Sequence, residues 1–310
     1  METKVNNLYY LGFDLGGTSL KYGYGNNKEG LLFFNSKQHE EKTIEDLKKS
    51  LKASFDEMLK KANEDGYSIK AIGMGTPGII DSEQGLVIGS TPNLKYLKGI
   101  NLKDIFSEIT DLPVVLENDA NLMTYSEASL STEKCVLGIT LGSGIGTGFV
   151  DNFLIFKGEQ NMALQAGHMI VKPTGRLCLC GKKGCLEAYC SAESIKKMVS
   201  DQLPEFKTLS LNDIFKHNDF RVKLIIRELL DILSFGISNL IVILNPGAVV
   251  IGGGVAECDA FDFKYVKNQI NLYLSREYKN VIIRKAKNGN KAGVIGAIML
   301  ANNVLQEIST

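Results

Sequence analysis

The sequence predicts an α/β fold in which two domains share one plan and enclose a cleft. Segments with the two-residue period of strands alternate along the chain with segments that have the helical period. Two similar glycine turns, 15–18 and 141–144, each follow an apolar strand, which indicates a weak internal repeat. No low-complexity linker divides the 310 residues, so we expect the two domains to pack together.

Composition and charge exclude several classes of protein. Hydrophobic residues make up 44% of the chain, so wholesale disorder is excluded. The 35 basic residues balance the 35 acidic residues, so the chain as a whole does not attract nucleic acid. The sequence lacks an apolar run of the roughly 20 residues that a membrane helix needs, and its N-terminus lacks a signal-peptide pattern. We therefore expect a cytoplasmic protein with no nucleic-acid or membrane partner.

The N-terminal part of the chain predicts a hairpin, a helix and two further strands. Strands at 8–13 and 21–24 flank the polar glycine tip 14–18, which is typical of a hairpin. Strands are also expected at 69–74 and 113–116. The helix is predicted from apolar residues at three- and four-residue spacing: Ile44, Leu47, Leu51, Phe55, Met58 and Ala62.

The C-terminal part repeats this plan. An apolar strand, 135–141, precedes the glycine-rich turn 142–148. The apolar stretch 225–244 predicts a buried helix, although its last residues, 240–244, also fit a buried strand. The other elements predicted here are the helices 120–128 and 292–304 and the strand 249–251.

Three glycine-rich turns, 16–18, 142–148 and 252–254, point to phosphate and nucleotide contacts. Each follows an apolar strand, and glycine lets backbone N–H groups approach an anion. Thr18 stands where a P-loop would have lysine, so the standard P-loop pattern does not match. Each turn alone could be structural, but three together favour nucleotide binding. Asp14 lies beside the first turn, and we expect it to meet Mg²⁺ directly or through water.

A histidine and three cysteines form the strongest metal-binding pattern in the chain. His168, Cys178, Cys180 and Cys185 have the spacing H-x9-C-x-C-x4-C, in a loop rich in glycine. Three thiolates and one imidazole complete a tetrahedral zinc site and leave no position for water. The sequence therefore predicts a structural Zn²⁺ site that orders the loop.

The segment Glu117-Asn118-Asp119 ends one predicted strand and opens the next helix. Asp119 could be a helix N-cap, and Asn118 could serve a turn. Alternatively, Asp119 faces the cleft and accepts the proton of an attacking hydroxyl group during phosphoryl transfer. The local sequence leaves both interpretations open.

Together these motifs resemble the ROK family of sugar kinases and repressors, which has the actin-like ATPase fold. The resemblance implies two ribonuclease H-like/actin-like ATPase domains with an interdomain cleft. The small N-terminal domain would comprise residues 1–117 plus about 293–310, and the larger domain residues 118–292. The matching segments, in the family's order, are Asp14-Leu15-Gly16-Gly17-Thr18 with Lys21, Gly75-Thr76-Pro77-Gly78, Glu117-Asn118-Asp119-Ala120-Asn121, Leu141-Gly142-Ser143-Gly144-Ile145-Gly146, Gly167-His168, the cysteine motif through Glu187, and Asn245-Pro246 leading to Gly252-Gly253-Gly254.

The resemblance implies an ATP-dependent hexose kinase of the glucokinase type. Asp119 would be the general base that takes the proton of the sugar 6-hydroxyl. His168 would hydrogen-bond a sugar hydroxyl through one ring nitrogen and ligate zinc through the other. The residues implied in sugar binding are Gly78, Asn118, Asp119, Gln165, His168 and Glu187. Those implied in binding ATP with Mg²⁺ are Asp14, Gly16, Gly17, Thr18, Lys21, Gly142, Ser143, Gly144, Gly146, Gly252, Gly253 and Gly254.

One departure from the family pattern concerns the sugar. The family motif Gly-Glu-x-Gly-His is replaced by Leu164-Gln165-Ala166-Gly167-His168, so a neutral amide stands where the family has a carboxylate. Gln165 either binds the sugar hydroxyls in place of the carboxylate, with lower affinity, or shifts the preference to a different sugar. A kinase for N-acetylmannosamine or N-acetylglucosamine is therefore the alternative.

Two other expectations concern the repressor branch and the oligomeric state. A non-catalytic sugar sensor or repressor is disfavoured, because the catalytic and phosphate-loop residues are kept and only thirteen residues precede Asp14, too few for a DNA-binding domain. The resemblance also implies a homodimer or homotetramer.

Overall fold

The structure is a computed structural model that describes residues 8–38 and 41–308. Residue contacts divide the chain into two units. Unit 1 comprises the chain up to Ser126, the segment Lys157–Ala163 and the chain from Asn290. Unit 2 comprises Glu127–Phe156 and Leu164–Gly289. The predicted boundary lies after residue 117, whereas unit 1 extends to Ser126.

Twelve strands are found within the described residues. They are β1 (Leu8–Leu15), β2 (Ser19–Asn26), β3 (Gly30–Gln38), β4 (Ser68–Thr76), β5 (Ile79–Asp81), β6 (Leu86–Gly89), β7 (Val114–Asn118), β8 (Cys135–Leu141), β9 (Ile145–Asp151), β10 (Leu154–Ile155), β11 (Ala248–Gly252) and β12 (Ile282–Lys285).

Nine α-helices accompany these strands in the same part of the chain. They are α1 (Ile44–Glu64), α2 (Leu102–Ser107), α3 (Asp119–Ala128), α4 (Glu187–Cys190), α5 (Ala192–Gln202), α6 (Leu211–Lys216), α7 (Phe220–Leu244), α8 (Phe263–Tyr273) and α9 (Ala292–Ile308). In the described residues, we find no helix with the length and apolar character needed to span a membrane.

The main sheets of the two units follow one plan. In unit 1 the strand order is β3-β2-β1-β4-β7, and in unit 2 it is β10-β9-β8-β11-β12. In each sheet, taken in this order, the first two strand pairings are antiparallel and the last two are parallel. The shared order agrees with the internal repeat predicted from the two glycine turns, and the α/β fold class is confirmed.

Helix α9 returns to unit 1 and packs on its sheet, so the last element of the chain completes the first unit. Val294, Ile298 and Ala301 of α9 are buried with residues of β1 and β4. The approach is close because β4 offers glycine: a Cβ atom at Gly73 would lie 2.0 Å from the carbonyl oxygen of Ala297. Any side chain at this position would push the helix away from the sheet.

The predicted elements are found with small shifts at their ends, and two details differ. The second glycine turn covers only 142–144, because β9 already begins at Ile145 and pairs with Leu141. Residues 240–244 are the last turns of α7 and not a strand. The polar stretch 200–222 carried little pattern in the sequence, yet it contains α6 and the start of α7. Residues 1–7, on which the absence of a signal peptide was judged, lie outside the described residues.

Candidate active site

Three parallel strands of unit 1 bring the acidic motifs of this unit to one edge of the sheet. In β1 and β4, Asp14 lies opposite Gly75. In β4 and β7, Thr76 lies opposite Asn118. Because the strands run in the same direction, the segments that follow them meet at their carboxyl ends, where ligands bind in open α/β sheets.

Asn118 is the N-cap of α3, and it also holds the turn after β4. Its Oδ1 accepts hydrogen bonds from the amides of Ala120, at 2.9 Å, and Asn121, at 3.2 Å. Its Nδ2 donates to the carbonyl oxygen of Gly78 at 2.9 Å. Gly78 has φ +109°, and a Cβ atom there would lie 2.0 Å from the carbonyl oxygen of Gly89. Only glycine therefore fits this turn.

Asp119 is the first residue of α3 and is half-buried. Its Oδ1 accepts a hydrogen bond from the Ala120 amide at 2.8 Å. Burial and the negative charge of Asp14 raise the pKa of Asp119 to about 7. Because Asn118 already caps the helix, Asp119 is not needed for capping, and a carboxylate with this pKa can exchange a proton near neutral pH.

Asp14 forms an ion pair with Lys21, which lies opposite it in the hairpin of β1 and β2. The Lys21 Nζ is 2.9 Å from Asp14 Oδ2. Asp14 is buried, and the start of α9 is close: a Cβ atom at Gly293 would lie 2.6 Å from the Asp14 carboxyl carbon. The tip that carries Gly16, Gly17 and Thr18 is closed by a hydrogen bond from the Gly16 amide to the Ser19 carbonyl at 2.9 Å.

Glu117 is a buried carboxylate that the sequence did not single out for a role. Its Oε1 accepts hydrogen bonds from the Asn118 amide, at 2.9 Å, and from Asn121 Nδ2, at 3.0 Å. Its Oε2 accepts from the Ser82 hydroxyl at 3.1 Å and pairs with Lys157 Nζ at 2.9 Å. Glu117 therefore fixes the backbone immediately before Asp119.

In unit 2, two of the predicted glycine turns lie side by side at the ends of β8 and β11. The amide of Gly142 donates to the carbonyl of Gly144 at 2.9 Å and closes the turn. Gly253 has φ +91°, and a Cβ atom there would lie 2.5 Å from the carbonyl oxygen of Leu141. The amide of Val255 donates to that carbonyl at 2.9 Å, so the 252–254 turn is held directly against the 142–144 turn.

The predicted zinc ligands meet in one place. One ligand atom of each of His168, Cys178, Cys180 and Cys185 lies within 4.8 Å of all the others. The Cys180 and Cys185 sulfur atoms are 3.6 Å apart, and Cys178 Sγ is 3.7 Å from His168 Nδ1. A tetrahedral zinc ion with Zn–S bonds of about 2.3 Å would separate its sulfur ligands by about 3.8 Å. The donor atoms and their spacing therefore fit Zn²⁺.

Glu187 connects this cluster to the glycine turn of β8 and β9. It opens α4, and its Oε2 accepts a hydrogen bond from the Ile145 amide at 2.8 Å. Its Oε1 lies 3.9 Å from Cys178 Sγ. A Cβ atom at Gly144 would lie 2.6 Å from Oε2, so a larger residue there would displace this carboxylate.

Gln165 and His168 flank a tight turn whose two central residues are buried. The turn spans Ala166–His168, and the His168 amide donates to the Gln165 carbonyl at 3.0 Å. Ala166 and Gly167 are buried, whereas Gln165 and His168 are exposed. Both predicted sugar-binding side chains are thus accessible to a ligand.

A model of the ROK family matches residues 10–304. The chain belongs to the ROK family. A glucokinase of Halalkalibacterium halodurans is 32% identical to this ROK protein over 94% of each chain. An N-acetyl-D-glucosamine kinase of Histophilus somni is 31% identical and aligns over 94% of this chain and 98% of its own.

Solved ROK structures share the fold of this chain. The ROK hexokinase of Thermus thermophilus superposes with a TM-score of 0.85 at 27% identity and covers 96% of this chain and 99% of its own. A ROK glucokinase of Streptomyces griseus, solved in complex with glucose and AMPPNP, has a TM-score of 0.81 at 25% identity and covers 95% of this chain and 99% of its own. The predicted actin-like ATPase fold is thereby confirmed.

Within this ROK protein, the structure assembles the predicted residues into one group in each unit. Unit 1 holds Asp14, Lys21, Gly78, Asn118 and Asp119 at one sheet edge. Unit 2 holds the glycine turns 142–144 and 252–254, the metal cluster, Gln165 and Glu187, whereas the turn 16–18 belongs to unit 1. Gly146 differs from the other glycines because it lies within β9, where its carbonyl accepts from the Thr140 hydroxyl at 3.2 Å.

Proposed function

We propose that this ROK protein transfers the γ-phosphoryl group of ATP to the 6-hydroxyl of a hexose, with Asp119 as the general base. The chain is an ATP-dependent sugar kinase, as its relatives and family indicate. The single observation that carries the assignment of Asp119 is its position, because it opens α3 without capping it. Its pKa of about 7 suits proton transfer at neutral pH.

The reaction needs a base because a sugar hydroxyl is a weak nucleophile. In our proposal the 6-hydroxyl of the sugar donates its proton to the Asp119 carboxylate as its oxygen attacks the γ-phosphorus. The bond from that phosphorus to the bridging oxygen of ADP breaks, and ADP leaves with the electron pair. Positioning and charge stabilisation supply most of the rate enhancement in such transfers.

We assign sugar binding to the residues that the family resemblance implies. The Asn118 side chain is held by α3 through its Oδ1 and by the Gly78 carbonyl through its Nδ2, so its orientation toward a ligand is fixed. His168 uses Nδ1 toward the cysteines, which leaves Nε2 for a sugar hydroxyl. The full proposed set is Gly78, Asn118, Asp119, Gln165, His168 and Glu187.

The nucleotide is assigned to the glycine turns. The turns 16–18, 142–144 and 252–254 present backbone at the ends of strands, where phosphate groups can approach N–H donors. Asp14 and Lys21 are the charged pair beside the first turn and would face Mg²⁺ and phosphate, respectively. Mg²⁺, when bound, offsets negative charge on the transferring group.

We assign a structural Zn²⁺ to His168, Cys178, Cys180 and Cys185. The four donor atoms leave no open coordination position, so the ion would stabilise the loop and take no part in the chemistry. Cys178 contacts Glu187, so a zinc ion that orders the loop would also help to position Glu187, which belongs to the proposed sugar site.

An N-acetylhexosamine kinase is the second candidate, and Gln165 favours it. The amide side chain both donates and accepts hydrogen bonds, so it can pair with an acetamido group as well as with a hydroxyl. The N-acetylglucosamine kinases among the relatives show that the family includes this chemistry.

The decisive experiment measures ADP release with a panel of hexoses and N-acetylhexosamines. The Asp119→Asn variant should lose about 10²- to 10⁴-fold in kcat, while its sugar Kd, measured by calorimetry, stays within a few-fold. Asp104→Asn, at an exposed aspartate on α2, is the matched control and should retain full activity. Turnover in Asp119→Asn equal to wild type would remove Asp119 from the mechanism.

We also propose that the chain forms a homo-oligomer through an apolar face of α7 and α8. Ile243 and Leu272 on this face are 72% and 75% exposed. Phe235 and Tyr273 join the two helices by an edge-to-face contact with ring centroids 5.7 Å apart, so the face is continuous. An exposed apolar face of this kind suits burial against a second copy of the chain. Ile243→Glu should lower the mass observed in light scattering if this assignment holds.

A further inference from the structure

Thr147 in β9 holds the turn on which Gln165 lies. Its side chain is buried, and its hydroxyl donates a hydrogen bond to the carbonyl oxygen of Leu164. The same hydroxyl accepts a hydrogen bond from the amide of Ala166 at 3.2 Å. One buried oxygen atom therefore bridges the residues immediately before and after Gln165.

The bridged backbone has an unfavourable conformation. Leu164 has φ +59°, in the left-handed region that a side chain with a Cβ atom seldom adopts. Such a conformation persists only where the surrounding structure enforces it. The hydrogen bonds of Thr147 on either side of Gln165 provide that enforcement.

The other end of the turn is also attached to β9. A Cβ atom at Gly167 would lie 2.5 Å from the carbonyl oxygen of Ile145, so the turn lies directly on the strand there. The amide of Ile145 in turn binds Glu187. The strand β9 thus contacts the turn at two residues. Thr147 binds the backbone on either side of Gln165, and Ile145 contacts the turn beside His168 and binds Glu187.

We propose that Thr147 is a positioning residue that sets the affinity and selectivity for the sugar by fixing the orientation of Gln165. The inference rests on the proposed function of the site. Thr147 does not contact the sugar in this proposal; it acts through the Leu164–Ala166 backbone. The orientation matters because an amide has a donor side and an acceptor side, and a rotated amide would offer the wrong group to the sugar.

The test compares Thr147→Val, which removes the hydroxyl but keeps the shape, with Thr147→Ser, which keeps the hydroxyl. Thr147→Val should raise the sugar KM about tenfold or more, with kcat and the ATP KM within twofold of wild type. Thr147→Ser should return the sugar KM to within about threefold. An equal change in the sugar and ATP KM values, or no rescue by serine, would overturn the proposal.

The matched control is Ser238→Ala, which removes another buried hydroxyl of unit 2 far along the chain, in α7. It tests whether a lower melting temperature alone changes the sugar KM. Ser238→Ala should leave the sugar KM within twofold even if its melting temperature falls as much as that of Thr147→Val. A sugar KM raised to the same extent in both variants would contradict a specific role for Thr147.

Hydrogen–deuterium exchange provides a readout that does not depend on catalysis. The amide of Ala166 donates to Thr147, so Thr147→Val should speed exchange in a peptide covering 164–168 by at least about tenfold. Unchanged exchange would overturn the proposal. A wild-type protein that phosphorylates none of the sugars would instead refute the proposed function, which separates the two failures.

The Leu164→Gly background gives a second check. Glycine adopts positive φ without a steric penalty, so the turn then depends less on the threonine. In this background Thr147→Val should raise the sugar KM by no more than about threefold. The full tenfold effect in both backgrounds would show that Thr147 does not act through Leu164.

Discussion

At the scale of single residues, the chemistry of the site depends on how Asp119 is surrounded. Its neighbour Asn118 takes the capping role that a first-turn aspartate often has, and Glu117 fixes the preceding backbone. Asp14 adds a negative charge nearby, which disfavours a second one on Asp119. The pKa of the Asp119 carboxyl group therefore lies near neutral pH, where the group can either hold or release a proton.

The pH dependence of the rate follows from this pKa. Asp119 accepts a proton only when it is ionised, so kcat/KM for the sugar should rise with pH up to about 7 and level off above it. Below pH 7 the rate should fall about tenfold for each pH unit. Initial rates of ADP release between pH 5.5 and 8.5 provide the measurement.

Two checks accompany this profile. Enzyme held at pH 5.5 and assayed at pH 8 should recover full activity, which separates titration from unfolding. A rate that stays constant down to pH 5 would show that the catalytic base keeps the ordinary pKa of an aspartate, and the proposed role of burial and Asp14 would be wrong.

At the scale of structural elements, the loop around the metal cluster is held by backbone hydrogen bonds, such as those from Val171 to Gly184 and from Cys178 to Lys182, and has few apolar contacts. Leu177 and Leu179 are 69% and 82% exposed, so the loop buries few apolar side chains. Burial raises the pKa of Cys185 to about 12, so a metal ion must displace its proton on binding. Stability of this loop is therefore expected to depend on the metal.

Metal analysis tests this dependence. The purified protein should contain about one zinc ion per chain, and Cys180→Ser should lower that content to less than half. The sugar KM should rise in this variant, because His168 loses its fixed orientation. Cys135→Ser, outside the cluster, is the control and should keep its zinc. Wild-type protein without zinc would contradict the assignment.

The contact of α9 with β4 makes a separate prediction. Gly73→Ala places a methyl group 2.0 Å from the Ala297 carbonyl, so the helix must move, and the free energy of unfolding should fall by about 1–3 kcal/mol. Denaturant titration followed by circular dichroism measures this change. Gly89→Ala, where the nearest atom is 3.4 Å away, is the control and should change stability by less than about 1 kcal/mol.

At the scale of the whole molecule, unit 1 is assembled from three separate parts of the chain. Helix α9 follows all the other described elements along the chain, yet it covers the face of the first sheet beside Tyr10 and Ala71. Without α9 this apolar face would be open to water. Unit 1 therefore cannot complete its core until the end of the chain is available.

Shortening the chain tests this order of assembly. A chain that ends at residue 289 should lose amide protection in β1 and β4, measured by hydrogen–deuterium exchange, because it lacks Val294 and Ile298. A chain that ends at residue 304 keeps these side chains and should retain the protection. Equal protection in both chains would show that unit 1 folds without α9.

Local sequence was sufficient for the elements with strong patterns. The period of α1, the hairpin of β1 and β2, and the strand β8 depend on neighbouring residues, so their sequence determines them. The helix α6 and the start of α7 lie in a polar stretch, and packing against the apolar core of unit 2 orders them. Residues 240–244 are helical because they continue α7, which a window of five residues cannot show.

By itself, the sequence determined which residue types the candidate site has: the glycine turns, the predicted zinc ligands and the Glu117–Asp119 motif are fixed by spacing and chemistry along the chain. Only the tertiary structure decided their surroundings. The hydrogen bond from Asn118 to Gly78, the raised pKa of Asp119 and the Thr147 contacts on either side of Gln165 all depend on atoms from separate parts of the chain. Hydrogen bonds and burial act through space, so no pattern along the chain could reveal them.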